Sequence, residues 1–291
     1  MPPALSGATT VVGLVGGPLQ VERSLSPKIH NAAFAALDLD WVYVGFPAGP
    51  GAGDQAVRGL LAAGVSGLNV TMPHKIAAAS AVDRLEGLAA AVGAVNTVEV
   101  RGSESVGWNT DGEGLLRFLT DAGIQVAGAS VVVLGSGGAA SSTVAALAGA
   151  GASSFYVLAR DPARARRLRV LAGSAAFQAG ALETGARGPI SEADLIINAT
   201  PIGQEGEGAP IPVEAIRPGA VVADLVYHPP TTRLVEEVRG RGARAYGGLG
   251  MLVAQAALSF EIWTGRPAPV EAMKAAAMAN EQAVRALTGW E

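Results

Sequence analysis

Cysteine is absent from this sequence of 291 residues. Its absence excludes disulfides, thiolate nucleophiles, zinc sites built on cysteine and iron–sulfur clusters, and it fits a reducing cytoplasm. Histidine is scarce as well, and His30, His74 and His228 are not spaced as metal ligands are. We therefore expect no metal site.

Charge is also low. Lysine, arginine, aspartate and glutamate make up 16% of the chain, against about a quarter in ordinary soluble proteins. The formal net charge is -4, so the chain offers no basic field to a nucleic-acid backbone, and nucleic acid is excluded as a partner.

A membrane span is not expected. The segment from Ala122 to Ala159 carries no charge, but glycine and serine residues divide it, whereas a spanning helix needs about 20 predominantly apolar residues in succession. No lysine or arginine precedes the first apolar run, as it would in a secretory signal. We predict a cytoplasmic protein with no membrane partner.

The sequence does contain alternating strand-like and helix-like segments, which predict an α/β fold. After a first α/β unit, repeated βα segments from Gly112 onward predict a Rossmann-type, doubly wound parallel sheet. Two helices, Met251–Thr264 and Val270–Leu287, close the chain, and we expect them to pack back on the first unit. The predicted domains are residues 1–111 with 248–291, and residues 112–247.

The segment Gly135–Ala140, GSGGAA, matches the dinucleotide-binding pattern G-x-G-x-x-A. It follows the predicted strand Ser130–Leu134 and opens the predicted helix Ala139–Ala148. In this pattern the first glycine permits a sharp turn, the second lets a pyrophosphate approach the backbone, and the small third position lets the helix pack on the sheet. N–H groups at the helix start then bind the phosphates. A tight turn in another α/β domain is the alternative.

The end of the next predicted strand, Ser154–Ala159, bears on the choice between NAD and NADP. An acidic residue there holds the ribose 2′-hydroxyl of NAD, whereas an arginine favours the 2′-phosphate of NADP. Asp161 precedes Pro162, a pair typical of a helix N-cap and first residue, so we assign Asp161 to capping. Arg160 and Arg164 then suit a 2′-phosphate clamp, which favours NADP; two solvated arginines are the alternative.

Two serines precede the predicted helix Pro27–Leu37. Ser26 suits the N-cap position, with Pro27 as the first helical residue. Ser24 and Ser26 together offer two hydroxyl donors beside the positive end of a helix dipole, which is also a site for a carboxylate. From the sequence, the two serines are suited either to capping the helix or to binding a carboxylate.

Asn69 and Thr71 lie two residues apart in the predicted strand Val65–Thr71, so both side chains face the same side of the strand. Polar residues at the carboxyl end of a parallel strand point into the crevice where ligands bind. Lys75 follows on the adjoining turn, where an amine can exchange a proton with a substrate oxygen; a surface lysine is the alternative. Asp111 either caps the next helix or orients Lys75 through an ion pair.

Two amides stand among apolar residues. Asn96 lies in the apolar predicted strand Val95–Val100, and Gln255 lies on the apolar helix Met251–Thr264. Because an unpaired amide in such a helix is costly, we expect Gln255 to have a polar partner, either in the protein or in a ligand.

Motifs along nearly the whole chain resemble those of the shikimate dehydrogenase family. The matching segments are SLSP at 24–27, NVTMPHK at 69–75, GAVNT at 93–97, NTDG at 109–112, GSGGAA at 135–140, NATPIG at 198–203, DLVY at 224–227 and GLGMLVAQ at 248–255. The resemblance implies reversible NADPH-dependent reduction of 3-dehydroshikimate to shikimate, in the shikimate pathway of chorismate and aromatic amino acid biosynthesis.

The resemblance also implies roles for individual residues. Lys75 and Asp111 correspond to the catalytic pair. The implied substrate contacts are Ser24, Ser26, Asn69, Thr71, Lys75, Asn96, Asp111, Tyr227 and Gln255, with the serine hydroxyls on the carboxylate. Together with the fingerprint and the arginines, the expected NADP contacts are Gly135, Ser136, Gly137, Gly138, Ala139, Arg160, Arg164, Thr200, Pro201, Leu225, Gly248 and Met251.

The sequence departs from the family pattern at two places. Asp161 stands where many members have the threonine of Asn-Arg-Thr, and His74 stands beside Lys75 where many carry phenylalanine. These departures leave open an enzyme that uses NAD on shikimate, quinate or aminoshikimate. A non-catalytic sensor of a nucleotide or shikimate is a separate alternative from another class. The sequence is compatible with either a monomer or a homodimer.

Overall fold

The computed structural model describes residues 5–182 and 187–279. Within these residues the chain divides into two compact units. The first contains the chain up to Asp111 together with Val253–Ala277, and the second contains Gly112–Leu252. The predicted domain segment 248–291 and the predicted helix Val270–Leu287 continue beyond residue 279, and that part lies outside the described residues.

The first unit is built around a six-stranded sheet in the order β2-β1-β3-β5-β6-β4. Its strands are β1 (Thr10–Gly16), β2 (Trp41–Pro47), β3 (Gly67–Val70), β4 (Arg84–Leu85), β5 (Thr97–Arg101) and β6 (Glu104–Trp108). Strand β1 pairs in parallel with β2 and β3, whereas β3–β5 and β5–β6 are antiparallel. The carboxyl ends of β1 and β3 therefore meet at one edge, where the chain continues into residues 71–75.

Short helices connect these strands. They are α1 (Pro18–Glu22), α2 (Ser26–Ala36), α3 (Gly53–Ala62), α4 (Lys75–Ala79) and α5 (Leu88–Val92). Helix α12 (Val270–Met278) belongs largely to the same unit, and the unit boundaries fall within α6 (Thr110–Asp121) and α11 (Leu249–Thr264). The predicted segments of this unit are present with small shifts of their ends, while α1 and β4 escaped prediction.

Helix α11 packs an aromatic face on the first unit. Phe260 stacks on Phe34 of α2 at a centroid distance of 5.6 Å, and the indole of Trp263 donates a hydrogen bond of 2.9 Å to the carbonyl of Val98. Gly67 lies against this indole, since a Cβ atom at Gly67 would come within 2.5 Å of Nε1 of Trp263. The first residue of β3 is therefore restricted to glycine by close packing.

The second unit contains a six-stranded sheet in the order β12-β11-β10-β7-β8-β9, and every pair in it is parallel. Its strands are β7 (Ser130–Leu134), β8 (Ser154–Ala159), β9 (Ala176–Ala181), β10 (Leu195–Asn198), β11 (Val221–Asp224) and β12 (Arg244–Tyr246). The predicted doubly wound parallel sheet is confirmed. Strands covered on both faces need continuous apolar runs, which explains why the sequence predicts β7 and β8.

Helices cover this sheet. They are α7 (Gly138–Gly149), α8 (Pro162–Arg166), α9 (Arg187–Glu192) and α10 (Arg233–Gly240), with 3₁₀ turns at Arg167–Leu171 and Val213–Ala215. The helix whose start is predicted at Asp161 and Pro162 is an α-helical turn followed by a 3₁₀ turn. None of the described helices in the chain has both the length and the apolar character needed to cross a bilayer.

We predict that Gly67→Ala destabilises the protein by about 1–3 kcal/mol, the usual cost of overpacking a core. The added methyl group would displace the indole of Trp263 from its hydrogen bond to Val98. Urea unfolding followed by tryptophan fluorescence measures the change. Gly59→Ala is the matched control: a Cβ atom at Gly59, within α3, meets nothing within 4 Å, so alanine should stabilise by about 0.5–1 kcal/mol. Equal stability of the two variants would contradict the packing argument.

Candidate active site

An ion pair joins Lys75 and Asp111 in the first unit. The Nζ atom of Lys75 lies 2.6 Å from Oδ2 of Asp111, and the side chains are 20% and 10% exposed. Lys75 is the first residue of α4, shortly after the end of β3, and Asp111 lies in the first turn of α6, shortly after β6. Of the two roles considered for Asp111, the ion pair is the one observed.

Asn96 holds the second oxygen of Asp111. Its Nδ2 atom donates a hydrogen bond of 2.9 Å to Oδ1 of Asp111, and its Oδ1 atom accepts one of 2.7 Å from the backbone N–H of Thr110. Because a backbone N–H can only donate, the Thr110 contact fixes the orientation of the amide and directs its NH₂ group to the carboxylate. Both oxygens of Asp111 are therefore bound.

Asn69 belongs to a buried polar cluster behind this pair. Its Oδ1 atom accepts from the Tyr43 hydroxyl at 2.9 Å. Its Nδ2 atom lies 3.1 Å from the carbonyl of Asn96, 3.0 Å from Oγ1 of Thr97 and 3.1 Å from Oγ of Ser259. The amide of Asn69, which the sequence assigns to a ligand, is thus bound to protein groups.

Gln255 and Thr71 lie in the same unit. The Oε1 atom of Gln255 accepts from Nδ2 of Asn96 at 3.4 Å, so the polar partner expected for Gln255 is present.

The N–H of Thr71 donates to the carbonyl of Val15 at 2.9 Å. A Cβ atom at Gly16 would come within 2.4 Å of Cγ2 of Thr71, so glycine there lets the chain after β3 lie against the end of β1.

Ser24 and Ser26 meet at the start of α2. The helix begins at Ser26 with Leu25 as its N-cap, so the prediction that Ser26 is the N-cap is wrong. The reason is that Oγ of Ser24 accepts the N–H of Ser26 at 3.2 Å, which lets the helix begin one residue earlier than predicted. The N-cap residue Leu25 makes no side-chain capping bond, and two hydroxyls lie beside the positive end of the helix dipole.

The histidines of the first unit are core residues. The Nε2 atom of His74 lies 3.1 Å from the carbonyl of Ala48, and its ring packs where a side chain on Gly53 would be. His30 stacks on Tyr43 at 4.6 Å, and neither ring nitrogen has a hydrogen-bond partner among the described residues. Burial lowers the pKa of His30 to about 3. Across the described chain no group of three or more possible ligand residues could hold a metal ion.

The predicted dinucleotide fingerprint lies in the turn between β7 and α7. Gly135 has a φ of 108°, and a Cβ atom there would lie 2.9 Å from the carbonyl oxygen of Ala199. Gly137 is the N-cap of α7 without a side-chain cap, and a Cβ atom on Gly137 or Gly138 would meet nothing within 4 Å. The first N–H groups of a helix have no partner within it. Open space before such groups fits a pyrophosphate, and Ser136 and Ala139 flank it.

The end of β8 carries the predicted arginines. Oδ1 of Asp161 accepts from the N–H groups of Ala163 at 2.9 Å and Arg164 at 3.2 Å, with Pro162 as the next residue. The capping role predicted for Asp161 is confirmed. The side chains of Arg160 and Arg164 are exposed.

A buried carboxylate organises the turn that carries Thr200 and Pro201. Oδ1 of Asp224 accepts from Nδ2 of Asn198 at 2.8 Å, and Oδ2 accepts from the Thr232 hydroxyl at 2.5 Å. Oδ1 of Asn198 in turn accepts from the N–H of Thr200 at 3.1 Å and from its hydroxyl at 2.6 Å. Burial raises the pKa of Asp224 to about 6.

The remaining predicted residues lie beyond β11. The N–H of Gly248 donates to the carbonyl of Val226 at 3.0 Å, and a Cβ atom at Gly248 would come within 2.5 Å of the carbonyl oxygen of Leu225. Burial raises the pKa of Tyr227. Met251 is half-buried. Glycine at 248 is therefore what allows the start of α11 to approach the segment that carries Leu225 and Tyr227.

Sequence reasoning missed the residues that support these sites. They are Thr97, Thr110 and Ser259 in the first unit and Asp224 and Thr232 in the second. Two signals were available: Asp224 ends an apolar strand, and Ser259 is a hydroxyl one helical turn from Gln255 on an apolar helix.

Comparison with known proteins gives consistent matches. A family model of the shikimate dehydrogenase substrate binding domain matches residues 14–98, and one of the shikimate 5′-dehydrogenase C-terminal domain matches residues 248–278. A shikimate dehydrogenase (NADP(+)) of Citrifermentans bemidjiense is 43% identical over 95% of this chain and 97% of its own length.

Solved structures of related dehydrogenases also match this chain. Shikimate 5-dehydrogenase from Listeria monocytogenes, in complex with shikimate and NAD, has a TM-score of 0.86 at 34% identity, covering 94% of this chain and 98% of that one. Quinate dehydrogenase from Corynebacterium glutamicum, in complex with NAD, has a TM-score of 0.85 at 29% identity, covering 93% and 99%.

We predict opposite pH dependences for two aspartates of the second unit. Because burial raises the pKa of Asp224 from 3.8 to about 6, its contribution to stability is present below pH 4 and is lost as pH rises to 6. The free energy of unfolding of the wild type relative to Asp224→Asn should therefore fall by up to about 3 kcal/mol over that range. Urea unfolding at intervals between pH 3.5 and 7 measures it.

Asp194→Asn is the contrasting variant for this measurement. Hydrogen bonds from Ser130 lower the pKa of Asp194, so its contribution is present above pH 4 and is lost on acidification. The wild type should gain stability relative to Asp194→Asn as pH rises. If the free energy of unfolding of the wild type relative to each variant changed with pH in the same direction for both variants, the assignment of a raised pKa to Asp224 would be refuted.

Proposed function

Because the chain belongs to the shikimate dehydrogenase family, we propose that it catalyses the reversible NADPH-dependent reduction of 3-dehydroshikimate to shikimate. The observation that supports this most directly is the 2.6 Å ion pair of Lys75 and Asp111. An amine held in place by a carboxylate is suited to exchange a proton with a substrate oxygen. We assign substrate binding to the predicted domain of residues 1–111 with 248–291, and NADP binding to residues 112–247.

We assign the cofactor residues from the fit of the α7 start to a pyrophosphate and from the family resemblance. NADPH, when bound, supplies the hydride that adds to C3 of the substrate. The N–H groups at the start of α7, beside Gly137 and Gly138, hold the phosphates. Arg160 and Arg164 hold the 2′-phosphate through charge-assisted hydrogen bonds. The other expected cofactor contacts are Gly135, Ser136, Ala139, Thr200, Pro201, Leu225, Gly248 and Met251.

Substrate binding uses hydroxyls and amides. Ser24 and Ser26 bind the carboxylate of the substrate, and the α2 dipole adds to the attraction. Asn96 and Gln255, whose amides lie 3.4 Å apart, are assigned to the ring hydroxyls on the family resemblance. Asn69, Thr71 and Tyr227 complete the proposed contacts.

Lys75 handles the proton. During reduction a proton passes from Nζ of Lys75 to the oxygen on C3, as the carbonyl becomes a hydroxyl, and the positive charge stabilises the developing alkoxide. Asp111 keeps the amine in position through Oδ2 while Asn96 binds Oδ1. The Lys75 side chain is 20% exposed, so the amine regains its proton from water. Oxidation of shikimate runs the same steps in reverse.

The alternatives differ in cofactor, substrate or class. They are an NAD-using dehydrogenase of shikimate, quinate or aminoshikimate, and a non-catalytic sensor. Purified protein is assayed at 340 nm with shikimate, quinate or aminoshikimate, each with NADP⁺ and with NAD⁺. We expect the highest kcat/KM with shikimate and NADP⁺. A higher kcat/KM with another pair of substrate and cofactor would replace the proposed reaction with that one. Binding of shikimate without an absorbance change would indicate a sensor.

Location and assembly extend the proposal. We expect a cytoplasmic enzyme that is a monomer or a homodimer. Cell fractionation and sedimentation equilibrium measure the two properties.

We predict that Lys75→Ala lowers kcat by about 10²–10⁴-fold, the usual contribution of an acid–base group, with a modest change in KM. Steady-state kinetics with shikimate and NADP⁺ measure both constants. Lys274→Ala is the control, because Lys274 pairs with Glu271 on α12 at 2.9 Å and has no part in the proposed chemistry. A Lys75 variant that keeps most of its turnover would remove Lys75 from this role.

We predict that Arg160→Ala raises the KM for NADP⁺ by about 10- to 100-fold, the effect of losing a hydrogen bond between charged groups, and leaves the KM for NAD⁺ nearly unchanged. Kinetics with both cofactors give the ratio. Arg169→Ala is the control, since Arg169 bonds to the carbonyl of Gly173. Equal changes for the two cofactors would contradict 2′-phosphate binding by Arg160.

A further inference from the structure

Two hydroxyl groups lie in the core of the first unit behind the Lys75–Asp111 pair. Thr97 is the first residue of β5 and Ser259 lies on α11, and both are 0% exposed. Their oxygens are 2.8 Å apart. A buried hydroxyl without a bonding partner is costly, so each hydroxyl hydrogen of the cluster must go to one of the acceptors around it.

Thr97 donates toward Asn96. Its Oγ1 atom lies 3.1 Å from Oδ1 of Asn96, and an amide oxygen can only accept. The Ser259 hydroxyl has two acceptors in reach, Oγ1 of Thr97 at 2.8 Å and the carbonyl of Gln255 at 3.1 Å. Donation over the shorter distance, to Thr97, is the arrangement that leaves the Thr97 hydrogen for Asn96. Nδ2 of Asn69, a donor, supports the arrangement from the neighbouring strand at 3.0 Å from Thr97 and 3.1 Å from Ser259.

When Ser259 donates to Thr97, the bonds run in one direction from helix to carboxylate. The Ser259 hydroxyl donates to Thr97, Thr97 donates to Asn96, and Nδ2 of Asn96 donates to Oδ1 of Asp111 at 2.9 Å. Hydrogen bonds in such a chain strengthen one another in a site of low dielectric constant. We propose that Thr97 and Ser259 are positioning residues that reinforce the orientation which the N–H of Thr110 gives to the Asn96 amide, and thereby help to fix Asp111 for its work on Lys75. This inference rests on the proposed function only for its kinetic readout.

Thr97 offers a matched pair of variants. Thr97→Val keeps the shape and removes the hydroxyl, whereas Thr97→Ser keeps the hydroxyl and removes a methyl group. We expect Thr97→Val to lower kcat for shikimate oxidation by about tenfold, the effect of one lost hydrogen bond in a buried network, with KM for NADP⁺ unchanged. Thr97→Ser should restore kcat. Low kcat in both variants, or wild-type kcat in Thr97→Val, would overturn the proposal.

A double-mutant cycle tests whether the two hydroxyls act in series. Ser259→Ala should lower kcat to a similar extent, and the double variant Thr97→Val with Ser259→Ala should be no slower than Thr97→Val alone. Independent, multiplicative losses would contradict the chain of donors. Thr264→Val is the control on the same helix, because the Thr264 hydroxyl donates to the carbonyl of Phe260 at 2.8 Å, away from Asn96.

A spectroscopic readout separates this inference from the proposed activity. In ¹⁵N spectra the side-chain NH₂ group of Asn96 should exchange with water faster in Thr97→Val than in the wild type or in Thr97→Ser. Unchanged exchange would overturn the positioning role even if the enzyme is active. Absence of turnover in the wild type together with faster exchange in Thr97→Val would refute the proposed function and leave the positioning role supported.

Discussion

Burial of the Lys75–Asp111 pair requires other polar groups of the first unit to replace the water that the two charges lose. A carboxylate that is 10% exposed loses much of its hydration, and one cation does not replace it unless the other lone pairs are also bound. Asn96 supplies that second contact at 2.9 Å, and its own oxygen is held by the backbone of Thr110. Each added bond restricts a group that would otherwise adopt several orientations.

Backbone geometry meets the corresponding requirement in the second unit. There the expected ligand is an anion, and the start of α7 offers N–H groups without a side-chain cap. Glycine at 135 lets the turn approach Ala199 within a distance that any Cβ atom would obstruct, and Gly137 and Gly138 leave the helix start open. Polar side chains therefore form the Lys75–Asp111 site, whereas glycines, which lack side chains, leave room for the expected anion at the start of α7.

The parts of the molecule that sequence could predict are those whose pattern is local. The strands Ser130–Leu134 and Ser154–Ala159 have the predicted ends because apolar runs and glycine turns mark them. The Asp161 cap follows from its own position before Pro162. By contrast, β9, α9 and β12 are short segments that mix polar and apolar residues, and Ser259 meets Thr97 across 162 residues of chain. Contacts of that kind depend on the tertiary fold.

Buried hydroxyls in the first unit illustrate why packing alone does not account for the sequence. Valine at 97 and alanine at 259 would fill nearly the same space without polar groups to satisfy, and apolar replacements in a core are often neutral or favourable. A donor chain, however, leaves one orientation of the Asn96 amide with all partners bound, and the flipped amide would face Thr110 and Asp111 with the wrong atoms. The hydroxyls therefore contribute mainly to the uniqueness of the arrangement, which is the property that a proton-transfer site needs from the core beneath it.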